Sequence, residues 1–377
     1  MLRGIPNRGS IAVMKPLEPT SPNLRRPLSV SIVVFPECDP SIIYGIYDTL
    51  WMAGAQWKSK SNEPVSEVLF TPRLVTADPG PLPLLTGVTI NPQLTIDDIE
   101  ATDIVLVPNV MVDTPESVRA LDRRLLDWIV RMHRGGAQLC ATCGGSIVLA
   151  EAGVLDGHAT TTHWMYVPLF RREFPKVTLH EERILVQSGP GQSIVSAGGA
   201  SSWQDLTLYM IARLAGTAEA IRISKVFLYQ WHRDGQLPYA SMIANVGHGD
   251  AVVEACQRFV AGSFRSADIV AGMLAHSALP KRSFDRRFRK ATGYAPLEYV
   301  QWLRIEEAKH LLELGDTPID DIAEEVGYSD LASFRRLFRR LVGITPGEYR
   351  RRFKLPDNVE AAIRAAATAE SETPKVR

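Results

Sequence analysis

Ser283-Phe284-Asp285-Arg286-Arg287-Phe288-Arg289-Lys290 returns further along the chain as Ser333-Phe334-Arg335-Arg336-Leu337-Phe338-Arg339-Arg340. The register then continues, with Gly293, Pro296, Glu298 and Tyr299 matched by Gly343, Pro346, Glu348 and Tyr349. Every pair keeps one offset, so the second half of the chain contains an internal duplication. In each copy two phenylalanines stand at i and i+4. That spacing puts both rings on one helical face, where they anchor to a small core, and leaves the basic residues between them on another.

Working outward, Ile322-Ala323-Glu324-Glu325-Val326-Gly327-Tyr328 reads as a short helix closed by a glycine, with Ser329 or Asp330 placed to cap the helix that follows. Helix, turn and helix are thus expected, and Ile269–His276 supplies the same piece ahead of the first copy, with Pro280 where a capping serine is natural. Between the copies Leu297–Leu314 reads as one stiff helix. It would hold two reading heads at a fixed separation, and heads entering successive major grooves on one face of B-DNA must stand about 34 Å apart. Charge agrees. The formal net charge is zero, yet Lys281, Arg282, Arg286, Arg287, Arg289 and Lys290 crowd one stretch and Arg335, Arg336, Arg339, Arg340 and Arg350–Arg352 another. Two basic patches on a balanced chain are what phosphate contact requires, although a solvated helix face has the same look when taken alone.

Residues of about 250–353 resemble the AraC/XylS-type DNA-binding domain, on the strength of Ile322-Ala323, Gly327-Tyr328, Phe334, Phe338, Gly343-Ile344-Thr345-Pro346 and Tyr349-Arg350. The resemblance implies an all-α domain with two helix-turn-helix units acting at promoters. It places Arg282, Asp285 and Arg286 of the first recognition helix, and Leu331, Ala332, Arg335 and Arg336 of the second, against base edges. Lys281, Arg289, Arg339 and Arg340 are left for phosphates. Arginine can grip guanine bidentately, at about 1–3 kcal/mol of discrimination per good pair. Leu274 departs from the pattern, which has a small residue there.

The first half alternates strand-like and helical runs: Leu28–Phe35, Val68–Thr76, Ile104–Pro108 and Ala137–Thr142 as strands, and Ile42–Ala53, Pro115–Arg134 and Ser146–Ala152 as helices. This is the rhythm of an α/β domain with a flavodoxin-like parallel sheet. The strand ending at Thr142 runs into Cys143-Gly144-Gly145, the arrangement of a nucleophile elbow. A thiol facing the following helix N-terminus would have a lowered pKa.

Cys143-Gly144-Gly145-Ser146 through Gly157, with Thr161-Thr162-His163-Trp164, resembles the class I glutamine amidotransferase-like, PfpI-type domain. This domain followed by an AraC-type one is the order of GlxA-type regulators. Cys143 and His163 fall on the family's cysteine and histidine, as vestigial catalytic candidates. Ile42 falls where related proteins carry an acid, with Glu37 and Asp39 nearby but shifted in register, so the domain is read as a non-enzyme. Cys143, Gly144, His163 and Trp164 are expected to line an effector pocket. Trp203 and Trp164 are able to cage a cationic amine or to serve as core. Cys140 points into the sheet packing, and no cofactor or metal is expected.

The expected domains are a leader at 1–27, with Met14 as a possible initiator, a sensing domain at 28–225, a linker at 226–249, a DNA-binding domain at 250–353 and a tail at 354–377. Four cysteines in 377 residues are too few for a disulfide framework. No apolar run approaches the roughly 18 residues of a membrane helix, and the start lacks a secretion signal. The reading is a cytoplasmic activator and homodimer. Its partners are double-stranded promoter DNA, a small nitrogenous effector and, by the resemblance, RNA polymerase, with no membrane. The alternatives are a thiol-dependent amidase or hydrolase, or a cysteine redox sensor, fused to the DNA-binding part.

Overall fold

In the computed structural model of the chain, residues 26–54, 68–242, 248–359 and 361–363 are described. They divide into two compact units, one ending at Gln236 and one beginning at Leu237. Most of the expected leader with Met14, residues 243–247 of the linker, and residues 360 and 364–377 of the tail lie outside them. Arg26, assigned to the leader, is tied down by a two-pronged ion pair to Asp103 at 2.7 Å.

The first unit is built on a seven-stranded sheet of β1 (Leu28–Val33), β2 (Phe70–Thr76), β3 (Leu94–Thr95), β4 (Ile104–Val107), β5 (Gln138–Thr142), β6 (Leu185–Ser188) and β7 (Ile194–Ala197). Its spatial order is β6-β7-β5-β4-β1-β2-β3, parallel throughout except where β6 pairs with β7. Strands covered on both faces need apolar residues on both, and Ile104-Val105-Leu106-Val107 is buried without alternation. The chain moves from β1 outward through β2 and β3, then returns to β4 on the other side of β1. This makes β1 and β4 the switch point beyond whose carboxyl ends an open α/β sheet forms its crevice.

Helices α1 (Pro40–Met52), α2 (Pro115–Arg119), α3 (Arg123–Arg134), α4 (Gly145–Glu151), α5 (Val167–Glu173), α6 (Trp203–Leu214) and α7 (Thr217–Phe227) complete the unit. The single helix expected over Pro115–Arg134 is two, because Asp122 takes an extended backbone and its carboxylate accepts the Arg124 N–H, starting a new helix. The last helix stops at Phe227, where Leu228 turns left-handed at φ 58°. Residues 228–236, read from sequence as linker, fold back onto the first unit. There the Gln236 amide donates to the Thr162 carbonyl at 2.8 Å and His232 pairs with Asp205.

The second unit consists of α8 (Ala251–Ser263), α9 (Ile269–Ser277), α10 (Lys281–Thr292), α11 (Pro296–Leu314), α12 (Ile319–Glu325), α13 (Leu331–Val342) and α14 (Pro346–Phe353). The duplication is a duplication of packing. Phe288 meets Tyr299 edge-on with ring centres 5.3 Å apart, and Phe338 meets Tyr349 in the same way at 5.6 Å. Gly293 and Gly343 both end their helices at φ 85°, a conformation that suits glycine.

Each copy closes its own core, and α11 gives Tyr299 and Val300 to the first and Ile305, Ala308 and Leu312 to the second. The caps differ. Asp330 and Thr345 accept backbone N–H groups of α13 and α14, whereas Pro280 and Ala295 hold the equivalent places in the first copy without a side-chain cap. Leu274 is half-buried at the edge of the first core. The close approach there is made by Gly272, where an added Cβ would meet the Phe259 ring at 3.1 Å.

Candidate functional site

Cys143 follows β5 directly and holds φ 53°, the strained left-handed turn of an elbow. The two glycines after it are demanded by crowding. A Cβ on Gly144 would stand 2.2 Å from the Val110 carbonyl, and one on Gly145 2.4 Å from the carbonyls of Val107 and Pro108. The elbow is thus pressed against the loop leaving β4. That loop is zipped to the one leaving β1 by the Met111 N–H on the Glu37 carbonyl, 2.9 Å, and by a bridge between Cys38 and Val110. Both switch-point loops therefore border the cysteine.

Asn109, buried at this junction, ties the three pieces together. Its Oδ1 accepts the Gly144 N–H at 2.9 Å and its Nδ2 donates to Asp39. Tyr166 lies against Gly144, its phenol kept protonated mainly by burial. The aligned position Ile42 is core, but the neighbouring Asp39 does reach the elbow through Asn109.

The expected low thiol pKa is not what the structure gives. Cys143 is 2% exposed, and burial pushes its thiol up to about 12, outweighing the Gly144 N–H that favours the thiolate, while Asp39 adds a further upward push. A helix of seven residues and one N–H do not offset the loss of water. Nor is His163 arranged as its base. Burial lowers the His163 pKa, and its Nδ1 accepts the Met165 N–H at 3.1 Å, which leaves the proton of the neutral ring on Nε2. Among the described residues no hydrogen bond joins His163 to Cys143. His163 instead shares an aromatic cluster with Trp164, ring centres 5.0 Å apart, and Tyr166, 6.1 Å. Trp203 is held against Gly45 and edge-on to Tyr229, a packing role. Cys140 is buried in β5.

Sequence reading missed a second cluster at the same sheet edge. Asp205 is 2% exposed and spends both oxygens on His232, accepting its backbone N–H at 2.9 Å and facing Nδ1 at 2.6 Å; His232 Nε2 then faces Ser201 Oγ at 3.4 Å. Next to it the Gln236 Oε1, beside Gly198 and Gly199, has no hydrogen-bond partner among the described residues, and neither has Thr142 Oγ1 at the end of β5.

In the second unit Lys281, Arg282, Arg286, Arg289, Ala332, Arg335, Arg336, Arg339 and Arg340 are exposed, while Asp285 and Leu331 are partly so. The two copies differ in how their cations are engaged. Among the described residues Arg282, Arg286 and Arg289 make no ion pair or side-chain hydrogen bond. Arg335 pairs with Asp320 at 3.2 Å, Arg336 with the Ser333 hydroxyl at 2.7 Å, and Arg340 with Gln301 at 3.2 Å. Arg287 is held by Asp250 at 2.6 Å. Exposed pairs of this kind contribute about 0–1 kcal/mol, so a DNA acceptor can displace them.

A helix-turn-helix domain family model matches residues 273–352 and the DJ-1/PfpI family model residues 65–210. Fold and matches together define a transcription regulator in two parts, a DJ-1/PfpI domain followed by an AraC-type helix-turn-helix domain. Over 225 residues the chain is 30% identical to the HTH-type transcriptional regulator GlxA of Rhizobium meliloti, covering 59% of this chain and 68% of GlxA, and it belongs to that family of regulators. It is 26% identical to the HTH-type transcriptional regulator CdhR of Pseudomonas aeruginosa, over 81% of this chain and 89% of CdhR. Drosophila melanogaster DJ-1beta superposes on 54% of the chain, and on all of its own length, with a TM-score of 0.44 and 17% identity. No helix among the described residues is long and apolar enough to cross a membrane.

Proposed function

We propose that this regulator is a cytoplasmic homodimer that activates transcription, together with RNA polymerase, when a small nitrogenous metabolite occupies the crevice beyond β1, β4 and β5. The observation that carries the DNA half is the repeated packing, Phe288 on Tyr299 and Phe338 on Tyr349. It sets α10 and α13 on their cores in one manner and turns their arginines outward. Arg282, Asp285, Arg286, Leu331, Ala332, Arg335 and Arg336 read bases, and Lys281, Arg289, Arg339 and Arg340 hold phosphates.

In the sensing half, Cys143, Gly144, His163 and Trp164 line the effector site, with Tyr166 and Asn109 beside them. The aromatic cluster suits a cationic nitrogen, and the unpartnered Gln236 Oε1 suits an N–H donor. Gln236 is also the last residue of the first unit and is bonded to Thr162, next to His163. A ligand that shifts His163 therefore acts on the point where the chain leaves the sensor, and it changes DNA affinity only as far as it binds one state more tightly. A buried, protonated Cys143 with no hydrogen bond to His163 among the described residues supports sensing without turnover.

The test is a thermal-shift screen of nitrogenous metabolites on the full chain, followed by titration of its own upstream DNA with and without the hit. A ligand at about 100 times its Kd stabilises the folded state by about 2.7 kcal/mol. A hit that raises the melting temperature yet leaves DNA affinity unchanged refutes the coupling. Equal binding to upstream and scrambled duplex at moderate salt refutes the DNA reading.

A further inference from the structure

The two reading heads are joined by more than a rod. Arg304 stands on α11 between the residues given to the first core and those given to the second. Its guanidinium donates from Nε to the Phe264 carbonyl at 2.8 Å, from Nη2 to the Ser266 carbonyl at 2.8 Å and from Nη1 to the Gly327 carbonyl at 3.0 Å, and it lies over the Tyr328 ring at 5.1 Å. The first two carbonyls belong to the loop between α8 and α9, in the first head. The third belongs to the turn between α12 and α13, in the second.

These carbonyls follow helix ends, where acceptors lack intrahelical partners, and one planar fork satisfies acceptors from both heads. The loops themselves touch: Gly327 holds φ 89°, and a Cβ on it would stand 2.5 Å from the Arg265 carbonyl. Arg265 adds exposed ion pairs to Glu307 on α11, 3.0 Å, and Glu325 on α12, 3.9 Å.

We propose that Arg304 is the positioning residue that fixes the spacing of α10 and α13, and so decides which separation of DNA half-sites the protein accepts. The inference rests on the two-headed reading of DNA given above. Each head closes a core of its own, so removing the clamp leaves both heads folded and able to bind a single half-site. What is lost is the fixed geometry. A rigid pair gains from the second half-site at one spacing only, whereas a loosely joined pair gains less there and tolerates others.

The experiment takes the full chain and a duplex that the wild type enriches from a random library. The half-sites are then moved apart in single base-pair steps to half a helical turn, about 5 base pairs, and each half-site is also presented alone. Wild type is expected to fall to single-half-site affinity within the series. Arg304→Ala is expected to lose about tenfold on the parent duplex and to vary by less than about threefold across the series, with single-half-site affinity retained.

Arg304→Lys guards against a variant that does not fold, since it keeps the charge and most of the aliphatic stem. It should relax the spacing too, because a point charge cannot serve the carbonyls of both loops. A spacing dependence in either variant as steep as in wild type overturns the proposal. A wild-type chain indifferent to the second half-site overturns instead the two-headed reading beneath it.

Discussion

Alkylation of Cys143 separates a packing thiol from a working one. In the native chain its pKa stands at about 12 against an ordinary 9.0. Only the thiolate attacks, so at pH 8 the reactive fraction is about 10⁻⁴ when native and about 10⁻¹ when unfolded, a ratio of about a thousandfold before access is counted. Iodoacetamide should therefore modify the Cys143 peptide of the native full chain at least about a thousandfold more slowly than the urea-unfolded chain. Cys140, also pushed up to about 12 by burial, serves as the internal control.

The same shift predicts the pH dependence of stability. The native state keeps a proton that the unfolded chain releases near 9, so the contribution is fully present below that value. It declines by up to about 1.4 kcal/mol per pH unit as pH rises toward the native value. Peptide mass spectrometry after timed quenching gives the rates. Alkylation of native Cys143 at pH 8 within tenfold of the unfolded chain would refute the reasoning and restore the amidase and redox alternatives.

Asn109→Leu should leave the Gly144 N–H and the Asp39 carboxylate without their partner, destabilising the first unit by about 1–3 kcal/mol per lost bond in urea denaturation; an unchanged midpoint would show that the junction tolerates the loss. Phe338→Ala should weaken the second core by about 3–5 kcal/mol and abolish the gain from the second half-site while sparing the first. Arg335→Ala should relax base preference, whereas Arg340→Ala should weaken all sequences alike and reduce the salt slope by about one unit; identical profiles for the two would contradict the division of roles.

The duplication was legible because it is local: i, i+4 phenylalanines, a glycine stop and a proline start repeat in register, and periodicity within one segment survives without knowledge of any other. The elbow was legible for the same reason, since strand, cysteine and paired glycines are contiguous. What eluded the sequence depends on partners far along the chain. Asp39 lies 70 positions from the Asn109 that brings it to the elbow. Cys143 looks like a thiol at a helix start, yet its titration is governed by burial beneath loops and a tyrosine from elsewhere in the fold. His232 lies in a stretch that composition marks as linker, 27 positions from the Asp205 it meets on α6. Arg304 reads as a solvated residue of a long helix until the loops on either side are in place.

The mismatch in capping between the two copies makes the duplicate an unequal pair of jaws. A side-chain cap contributes about 1 kcal/mol, so Asp330 leaves the first turn of α13 less prone to fray than that of α10 by about that much, close to a fivefold difference in local opening. Amides in the opening turn of α10 then trade protons with solvent sooner than those of α13. The jaw that yields is the one whose Arg282 and Arg286 carry no partner among the described residues, so the softer grip is also the one that reaches DNA with its charges unspent.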